Sequence, residues 1–461
     1  MLETHEFKGV WSLPSPDAES LPGTLTVDRG RADLELIGDF GHELLSATSR
    51  ETAFSLDPAD QLRVLGSSTD GKDITLEQVN SRTYLVSMPG FPVAHYTART
   101  ILVGKRFSEG DPIVFDEIAI CASDLNAWAG ASGFKLHHDF EKLKGSELLG
   151  FAGVGADYIA PDEIEIQLAR GERAFIRYGA KHQGVVPGTE HVSITQTADI
   201  HFRFAKPASL IQVFARVSEI RNFLSLAVGR PVSVLAVSGY QDDYVDSIGS
   251  RRAMQLLWQV PHNPDPPERP RDVREMLFSL PEARPDISSV MKKWLARQSR
   301  LRPVFNLFFG VLYHPDLPLE VRFLTFAQAL ETYDHRRRPR AGTIHLSRRV
   351  RDVLSMCRTV SRRIVGPHEA DLDAFIKGLV DSRNYYTHYD PKLDGKAAAG
   401  VSLYLLILQL RAIIEMLLLR ELGFPARSIN AILERGQRFE EIEHFKGTVA
   451  REEIIASHRS G

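Results

Sequence analysis

Residues 371–388 read DLDAFIKGLVDSRNYYTH, and Asp390 and Pro391 lie two and three positions beyond them. Apolar residues recur in this segment at intervals of three and four, which indicates one buried face of an α-helix. Proline disfavours helical geometry in the residue before it, so the helix is expected to end at about His388. The last two turns of the predicted helix carry Arg383 and His388, five residues apart.

The helical pattern extends through the second half of the chain. Further helices are predicted over residues 287–302, 319–334, 346–365, 397–422 and 426–434. Residues 401–422 are apolar enough to suggest a membrane span, but Gln409, Arg411, Glu415 and Arg420 interrupt them. Because a charge at the centre of a bilayer costs roughly 2.5–3.5 kcal/mol, we expect a buried bundle helix here and no membrane among the partners.

The first half of the chain is predicted to be mostly β-structure. Residues 23–30 and 34–37 alternate polar and apolar side chains on either side of a turn, which is typical of a hairpin. Residues 164–168 and 174–178 predict a second hairpin. Further strands are predicted around residues 82–107, 112–120 and 191–204.

One amphipathic helix interrupts the strands, at residues 210–227, and Gly229 and Pro231 end it. Because another predicted strand follows at residues 232–237, we assign this helix to the β-rich domain. Residues 261–270 hold five prolines, which favour an extended spacer. The sequence therefore predicts an α+β protein, whose parts are a β-rich N-terminal domain over residues 1–260, a Pro-rich linker over 261–285, and an all-α helical bundle over 286–461.

Composition excludes several classes of protein. The 461 residues are 43% hydrophobic and 25% charged, as in globular proteins and unlike disordered or fibrous ones. A net charge of −3 means that any contact with nucleic acid must rest on a local patch. Cys121 and Cys357 stand far apart, which argues against a zinc or disulfide framework and fits a reducing cytosol. The polar N-terminus does not resemble a secretion signal, so we expect a cytoplasmic location.

An arginine followed five positions later by a histidine is a weak signal by itself. The same spacing occurs at Arg177/His182, Arg340/His345 and Arg363/His368. Only Arg383 is followed by an asparagine, Asn384, and only this pair ends a predicted bundle helix. The simpler interpretation is a surface arginine with a helix-ending histidine that interacts favourably with the helix dipole.

Five residues of α-helix rise about 7.5 Å and turn by about 140°, so Arg383 and His388 would flank a groove without touching. A phosphate group could sit between them. An imidazole with a pKa near neutrality takes a proton from a 2′-hydroxyl, and a guanidinium stabilises charge on the phosphoryl oxygens. Asn384 could orient either the phosphate or the histidine ring. This arrangement favours RNA cleavage without a metal or another cofactor.

Residues 383–388 resemble the R-N-x-x-x-H signature of HEPN domains. Residues 323–333, FLTFAQALETY, look like the first core helix of the ApeA-type HEPN subgroup. Residues 9–14 (GVWSLP), 22–25 (PGTL) and 34–38 (LELIG) are similar to the start of the ApeA N-terminal domain. The resemblance covers most of the chain, although its middle part matches by pattern only.

The resemblance implies an anti-phage, abortive-infection ribonuclease. In such a protein two HEPN domains pair as a homodimer, so that two Arg/His motifs form one composite site, and a phage-derived trigger is a further partner. Glu331 would be the acidic residue directed toward the motif; the alternative is a solvated or salt-bridged helix residue. A second function remains open, in which a non-catalytic HEPN protein binds RNA or a protein partner through the same groove.

Several other side chains are candidates for RNA contact. Residues 335–363 hold ten arginines against one acid, Asp352, and an excess of this kind suits a phosphate backbone as well as a solvated helix face. The residues chosen as RNA-binding are Arg348, Arg349, Arg362 and Arg363. Tyr385, Tyr386 and Tyr389 suit base stacking or packing.

Two other classes of site find little support in the sequence. His137, His138 and Asp139 lack a third ligand at metal-binding spacing, so we expect an ordinary loop there. The sequence also contains no Gly-rich phosphate loop of the Walker type.

Overall fold

The computed structural model describes residues 4–40, 62–85, 90–142, 149–184, 191–283, 286–339 and 344–460. They divide into two compact units. The strand unit comprises residues up to 123, 132–218 and 233–267, and the helical unit comprises residues 124–131, 219–232 and 268 onward. The predicted α+β class, with strands in the first half and helices in the second, is confirmed.

The strands of the described residues are numbered β1 to β15. They are β1 (His5–Ser12), β2 (Leu21–Asp28), β3 (Arg31–Ile37), β4 (Leu62–Ser68), β5 (Asp73–Leu85), β6 (Val93–Ala98), β7 (Thr100–Val103), β8 (Val114–Ala122), β9 (Phe134–Lys142), β10 (Leu149–Tyr158), β11 (Ile164–Gln167), β12 (Arg173–His182), β13 (Ile194–Ser209), β14 (Val234–Tyr240) and β15 (Met254–Trp258).

Thirteen of these strands form one antiparallel sheet in the order β11-β12-β13-β8-β14-β15-β7-β5-β4-β1-β2-β3-β6. Strand β6 also pairs with β5, which closes β5, β4, β1, β2, β3 and β6 into a ring. Strands β9 and β10 form a separate two-stranded ribbon. Both predicted hairpins are confirmed, as β2–β3 and β11–β12. The first turns through Arg29 and Gly30, which both have positive φ, as this tight hairpin turn requires.

The helices are numbered α1 to α11. They are α1 (Leu125–Ala129), α2 (Leu210–Val228), α3 (Leu280–Ala283), α4 (Ile287–Leu312), α5 (Leu319–Arg337), α6 (Leu346–Leu354), α7 (Arg358–Val365), α8 (Glu369–His388), α9 (Gly400–Leu422), α10 (Ala426–Arg435) and α11 (Arg438–Ser460).

Helix α9 is the core of the helical unit. It packs against α4, α5, α7, α10 and α11, and nearly every side chain from Leu406 to Leu419 is buried. In the described part of the chain, α9 is also the one helix long and apolar enough to cross a membrane, and most of it is buried inside the protein. Its apolar character is therefore accounted for by packing.

The structure corrects the predicted bundle in three places. Residues 346–365 form two helices, α6 and α7, separated by a 3₁₀ turn at Ser355–Cys357. Ser361 stabilises this break because its hydroxyl donates to the carbonyl of Leu354, 2.8 Å away, which lacks a helical partner. Helix α4 continues through Pro303, and α11 was not predicted at all.

The predicted domain boundaries also differ from the structure. Residues 268–283 are not a linker, since they belong to the helical unit and the side chains of Met276, Leu277, Phe278 and Leu280 are fully buried. Likewise, α2 from Glu219 onward belongs to the helical unit and not to the β-rich one. Sequence patterns show where a segment is apolar but not which core receives it.

Candidate functional site

The candidate site lies at the C-terminal end of α8, which ends at His388 as predicted. Tyr389 adopts a left-handed backbone with φ of 49°, and this turns the chain out of the helix. The Asp390 carboxylate then accepts a hydrogen bond from the backbone N–H of Lys392, 3.0 Å away. The left-handed Tyr389, whose N–H donates to the Tyr385 carbonyl, gives α8 a defined end and fixes the motif in its last turns.

Arg383 is held by an acidic residue from another helix. Its Nη2 lies 3.5 Å from the Glu331 carboxylate on α5, and the two side chains are 35% and 28% exposed. Its Nη1 also donates to the Asn384 side-chain oxygen at 3.4 Å. The three residues chosen from the sequence for one site, Arg383, Asn384 and Glu331, are therefore in contact.

His388 is exposed at the helix end, and no hydrogen bond to its ring is found in the described part of the chain. Along α8 it is displaced from Arg383 by about 7.5 Å and about 140°. A single chain therefore presents one guanidinium and one imidazole on different sides of the helix end. Both remain accessible to a ligand.

The segment after the motif is anchored back onto α8. The buried Ser382 hydroxyl accepts a hydrogen bond from the Ala398 N–H at 2.9 Å, and the Tyr386 hydroxyl donates to the Ala398 carbonyl at 2.8 Å. The Tyr386 ring packs edge-on against Phe323 of α5. Tyr386 is therefore a packing residue and not a free stacking platform, whereas Tyr389 is exposed. Sequence reasoning missed Ser382, whose signal was a hydroxyl on the buried face of α8.

Two models of known protein families match this chain. A model described as ApeA N-terminal domain 1 matches residues 6–294, more than half of the chain. The chain belongs to the ApeA family. A second model, Apea-like HEPN, matches residues 324–428 and so includes Glu331 and the whole Arg383–His388 motif. Searches of curated proteins and of solved structures gave no match.

Membership of the ApeA family connects the chain with anti-phage defence, and its HEPN domain is of a type associated with ribonucleases and with RNA binding. The N-terminal match reaches residue 294, well beyond the predicted boundary at 260 and into α4. The family match thus covers the residues that sequence patterns had described as a linker.

The four arginines predicted to bind RNA differ from one another in their surroundings in this ApeA-family protein. Arg349 is 17% exposed and forms an ion pair at 3.1 Å with Asp334, whose side chain is fully buried. Its guanidinium neutralises a buried carboxylate, which favours a structural role for Arg349 over the predicted RNA contact. Arg348 is 69% exposed, with the Asp352 carboxylate 3.2 Å away. Arg363 pairs with Glu434 at 3.1 Å, while Arg362 is exposed.

Part of the local charge excess is compensated by acids from other helices. Arg337 pairs with Glu421, and Arg351 pairs with Glu369 and Asp373. Asp373 lies ten residues before Arg383, or about 15 Å along α8, so Arg351 does not adjoin the motif. Arg340, another of the ten arginines, lies outside the described residues. The arginine-rich segment is therefore not uniformly free.

Two other expectations concern metal and thiol chemistry. His137, His138 and Asp139 lie in strand β9 and not in a loop, and no group of three potential metal ligands occurs in the described ranges. Burial and the nearby Asp199 raise the pKa of Cys121 to about 12, so its thiol stays protonated and weakly nucleophilic at neutral pH.

Proposed function

We propose that this protein is a metal-independent HEPN endoribonuclease that acts in anti-phage, abortive-infection defence. The observation that carries the proposal is the contact between Arg383 and Glu331 beside the exposed His388. This contact orients a guanidinium at a helix end that also bears a free imidazole, inside a segment that matches an Apea-like HEPN model. A purely structural arginine would be expected to use its charge on a buried acid, as Arg349 does.

The proposed reaction needs only these side chains and RNA. His388 removes the proton of a 2′-hydroxyl, the 2′-oxygen attacks the adjacent phosphorus, and the bond from phosphorus to the 5′-oxygen breaks. The products end in a 2′,3′-cyclic phosphate and a 5′-hydroxyl. Arg383 stabilises the negative charge that develops on the phosphoryl oxygens, and Asn384 orients the phosphate or the imidazole.

The departing 5′-oxygen also needs a proton, and one His388 cannot be base and acid in the same step. A second copy of the chain related by a two-fold axis supplies another His388 for this role. We therefore propose a homodimer formed through the HEPN domain, with a composite site. The strand unit then serves as the sensor or regulator that keeps the enzyme inactive in the cytoplasm until a phage-derived trigger is present.

A non-catalytic HEPN protein that binds RNA or a partner is the second candidate, favoured by the exposed arginines Arg348 and Arg362. The test expresses wild type, His388→Ala and Arg383→Ala in bacteria before phage challenge, and follows the integrity of cellular RNA. His335→Ala, an exposed histidine on α5, is the matched control.

Under the proposal, wild type and the control protect the culture and degrade RNA after infection, while the two motif variants do neither. Protection by His388→Ala equal to that by wild type, with intact RNA, would instead assign the non-catalytic function.

A further inference from the structure

The helical unit contains a cavity of about 760 Å³ that is separate from the motif at the end of α8. This volume lies within the range of about 300–1,000 Å³ that is usual for small-molecule sites. All of its lining residues belong to the helical unit. Five of them are arginines, namely Arg230, Arg271, Arg322, Arg411 and Arg438.

Three of these guanidinium groups converge on a single carbonyl oxygen, that of Gly229. The Nη2 of Arg411 lies 2.9 Å from it, the Nη2 of Arg438 lies 3.4 Å from it, and the Nη1 of Arg271 lies 3.5 Å from it. A carbonyl oxygen has two lone pairs and carries only a partial charge. Donors therefore exceed acceptors at this point.

Carboxylates pair with three of the five guanidinium groups, since Asp124 holds Arg230 and Glu415 holds both Arg411 and Arg438. Glu415 is fully buried and accepts from both Arg411 at 3.0 Å and Arg438 at 2.7 Å, so one negative charge serves two guanidinium groups. The Nε of Arg271 lies 3.7 Å from the carboxylate of Glu275, which is beyond hydrogen-bond distance. In the described part of the chain, the Nε atoms of both Arg271 and Arg322 are buried without a hydrogen-bond acceptor.

The crowding of positive charge also affects the pKa values of these guanidinium groups. Burial, and then the positive charge of Arg438, lower the pKa of Arg271 below its ordinary value, and the same two causes lower the pKa of Arg411. Buried polar groups without partners are uncommon and costly in proteins. Two such Nε atoms on one cavity indicate a missing anionic partner, and guanidinium groups are the side chains best suited to phosphate.

The lining residues of α11 after Arg438 have a different character. Helix α11 contributes the carboxylates of Glu440 and Glu441, together with His444 and the ring of Phe445. Carboxylates repel a free phosphate but accept hydrogen bonds from sugar hydroxyls and base amino groups. An aromatic ring offers a face for a base.

We propose that this cavity binds a nucleoside phosphate, with its phosphate groups on Arg271 and Arg322 and its sugar and base against α11. Recognition by guanidinium side chains takes the place of the Gly-rich phosphate loop that the sequence lacks. The site is distinct from the RNA-cleaving motif, so its ligand is not the proposed substrate.

The test measures binding to the purified full-length chain by titration calorimetry in EDTA. Each of the four ribonucleoside triphosphates is titrated, with inorganic phosphate and pyrophosphate as separate probes. His388→Ala is used as the background, so that the result is independent of RNA cleavage. The variants are Arg322→Gln and, as the matched control on the same helix, the exposed Arg336→Gln.

We expect at least one triphosphate to bind, and its affinity to fall about tenfold or more in Arg322→Gln but not in Arg336→Gln, because hydrogen bonds to charged groups are strong. Circular dichroism and Arg322→Lys, which retains the charge, separate loss of the ligand contact from loss of the fold. Absence of binding by every triphosphate, equal affinity in Arg322→Gln, or equally tight binding of pyrophosphate would each overturn the nucleoside phosphate assignment.

Discussion

At the scale of single residues, Glu331 sets the position of the Arg383 guanidinium. Both side chains are partly exposed, so their ion pair contributes no more than about 1 kcal/mol to the free energy of unfolding. Its role in the account is orientation, and small displacements of a catalytic group cost far more in rate than in stability.

Replacing Glu331 tests this role. We predict that Glu331→Gln lowers the single-turnover rate of RNA cleavage about tenfold or more while the urea unfolding midpoint hardly changes. Glu320→Gln, in the first turn of the same helix α5, serves as control. An unchanged cleavage rate in Glu331→Gln would mean that Arg383 does not depend on this contact.

Arg348 and Arg349 are adjacent in the sequence, but their side chains contribute differently to stability. We predict that Arg349→Ala lowers the free energy of unfolding by on the order of 3 kcal/mol, because it removes the ion pair at 3.1 Å from the buried Asp334. Arg348→Ala, at an exposed position, should change it by less than about 0.5 kcal/mol. Chemical denaturation of both variants measures the difference, and equal stabilities would contradict the assignment of Arg349 to a structural ion pair.

At the scale of elements, one buried carboxylate joins several strands of the sheet. Glu117 on β8 is 2% exposed, and Arg177 on β12, His201 on β13 and Arg251 each place a nitrogen 2.8 Å from it. Burial alone would raise the pKa of Glu117, but the hydrogen bonds from His201 and Arg251 and the nearby positive charges lower it to about 2.

This depressed pKa predicts how stability depends on pH. A carboxyl group whose pKa is lower in the folded protein stabilises the fold above its unfolded pKa, near 4.5, and this contribution is lost as the pH falls toward about 2. We predict that Glu117→Gln lowers stability at pH 7 by on the order of 3 kcal/mol. It should also flatten the acid part of the pH–stability curve.

The matched control is Glu165→Gln, an exposed position on β11. Urea unfolding between pH 7 and pH 2.5 measures both variants. If Glu117→Gln keeps the pH dependence of wild type, the carboxylate does not hold these strands in the way described.

Much of the secondary structure could be predicted from the sequence, and the predictions that failed did so for physical reasons. Both hairpins, the class of each half and the end of α8 followed from periodicity and from turn or proline signals. The break between α6 and α7 did not, because its stabilising contact is the Ser361 hydroxyl on the Leu354 carbonyl, which no periodicity reveals. The burial of Phe278 depends on tertiary packing that local composition does not show.

Ion pairs between residues that are distant in the sequence could not be predicted either. The sequence shows an arginine-rich stretch but not that Arg337 and Arg363 pair with Glu421 and Glu434. The arginine-lined cavity has the same origin, because its five guanidinium groups come from positions as far apart as 230 and 438. The candidate motif residues could be predicted because they are close together in the sequence. The cavity could not be predicted, because the fold brings its arginines together from distant positions.

For the whole molecule, the proposed reaction requires two chains. One chain offers a single imidazole and a single guanidinium at the end of α8, and the proposed reaction uses both an acid and a base. We predict a native mass of twice the 51.6 kDa of one chain, and a specific cleavage activity that falls on dilution as dimers dissociate.

Light scattering and rate measurements over a range of protein concentrations test this prediction. His388→Ala should retain the dimeric mass, because the imidazole is exposed and its loss leaves the fold unchanged. A monomer with full, concentration-independent activity would exclude a composite site.

Metal-free RNA cleavage by the Arg383–His388 motif is tested by a cleavage assay on total cellular RNA in EDTA. Purified wild type and His388→Ala are compared, with and without an extract of phage-infected cells to supply a trigger. We predict cleavage by wild type alone, with 2′,3′-cyclic phosphate ends. Cleavage that requires a divalent metal, equal cleavage by His388→Ala, or intact RNA under both conditions would contradict it.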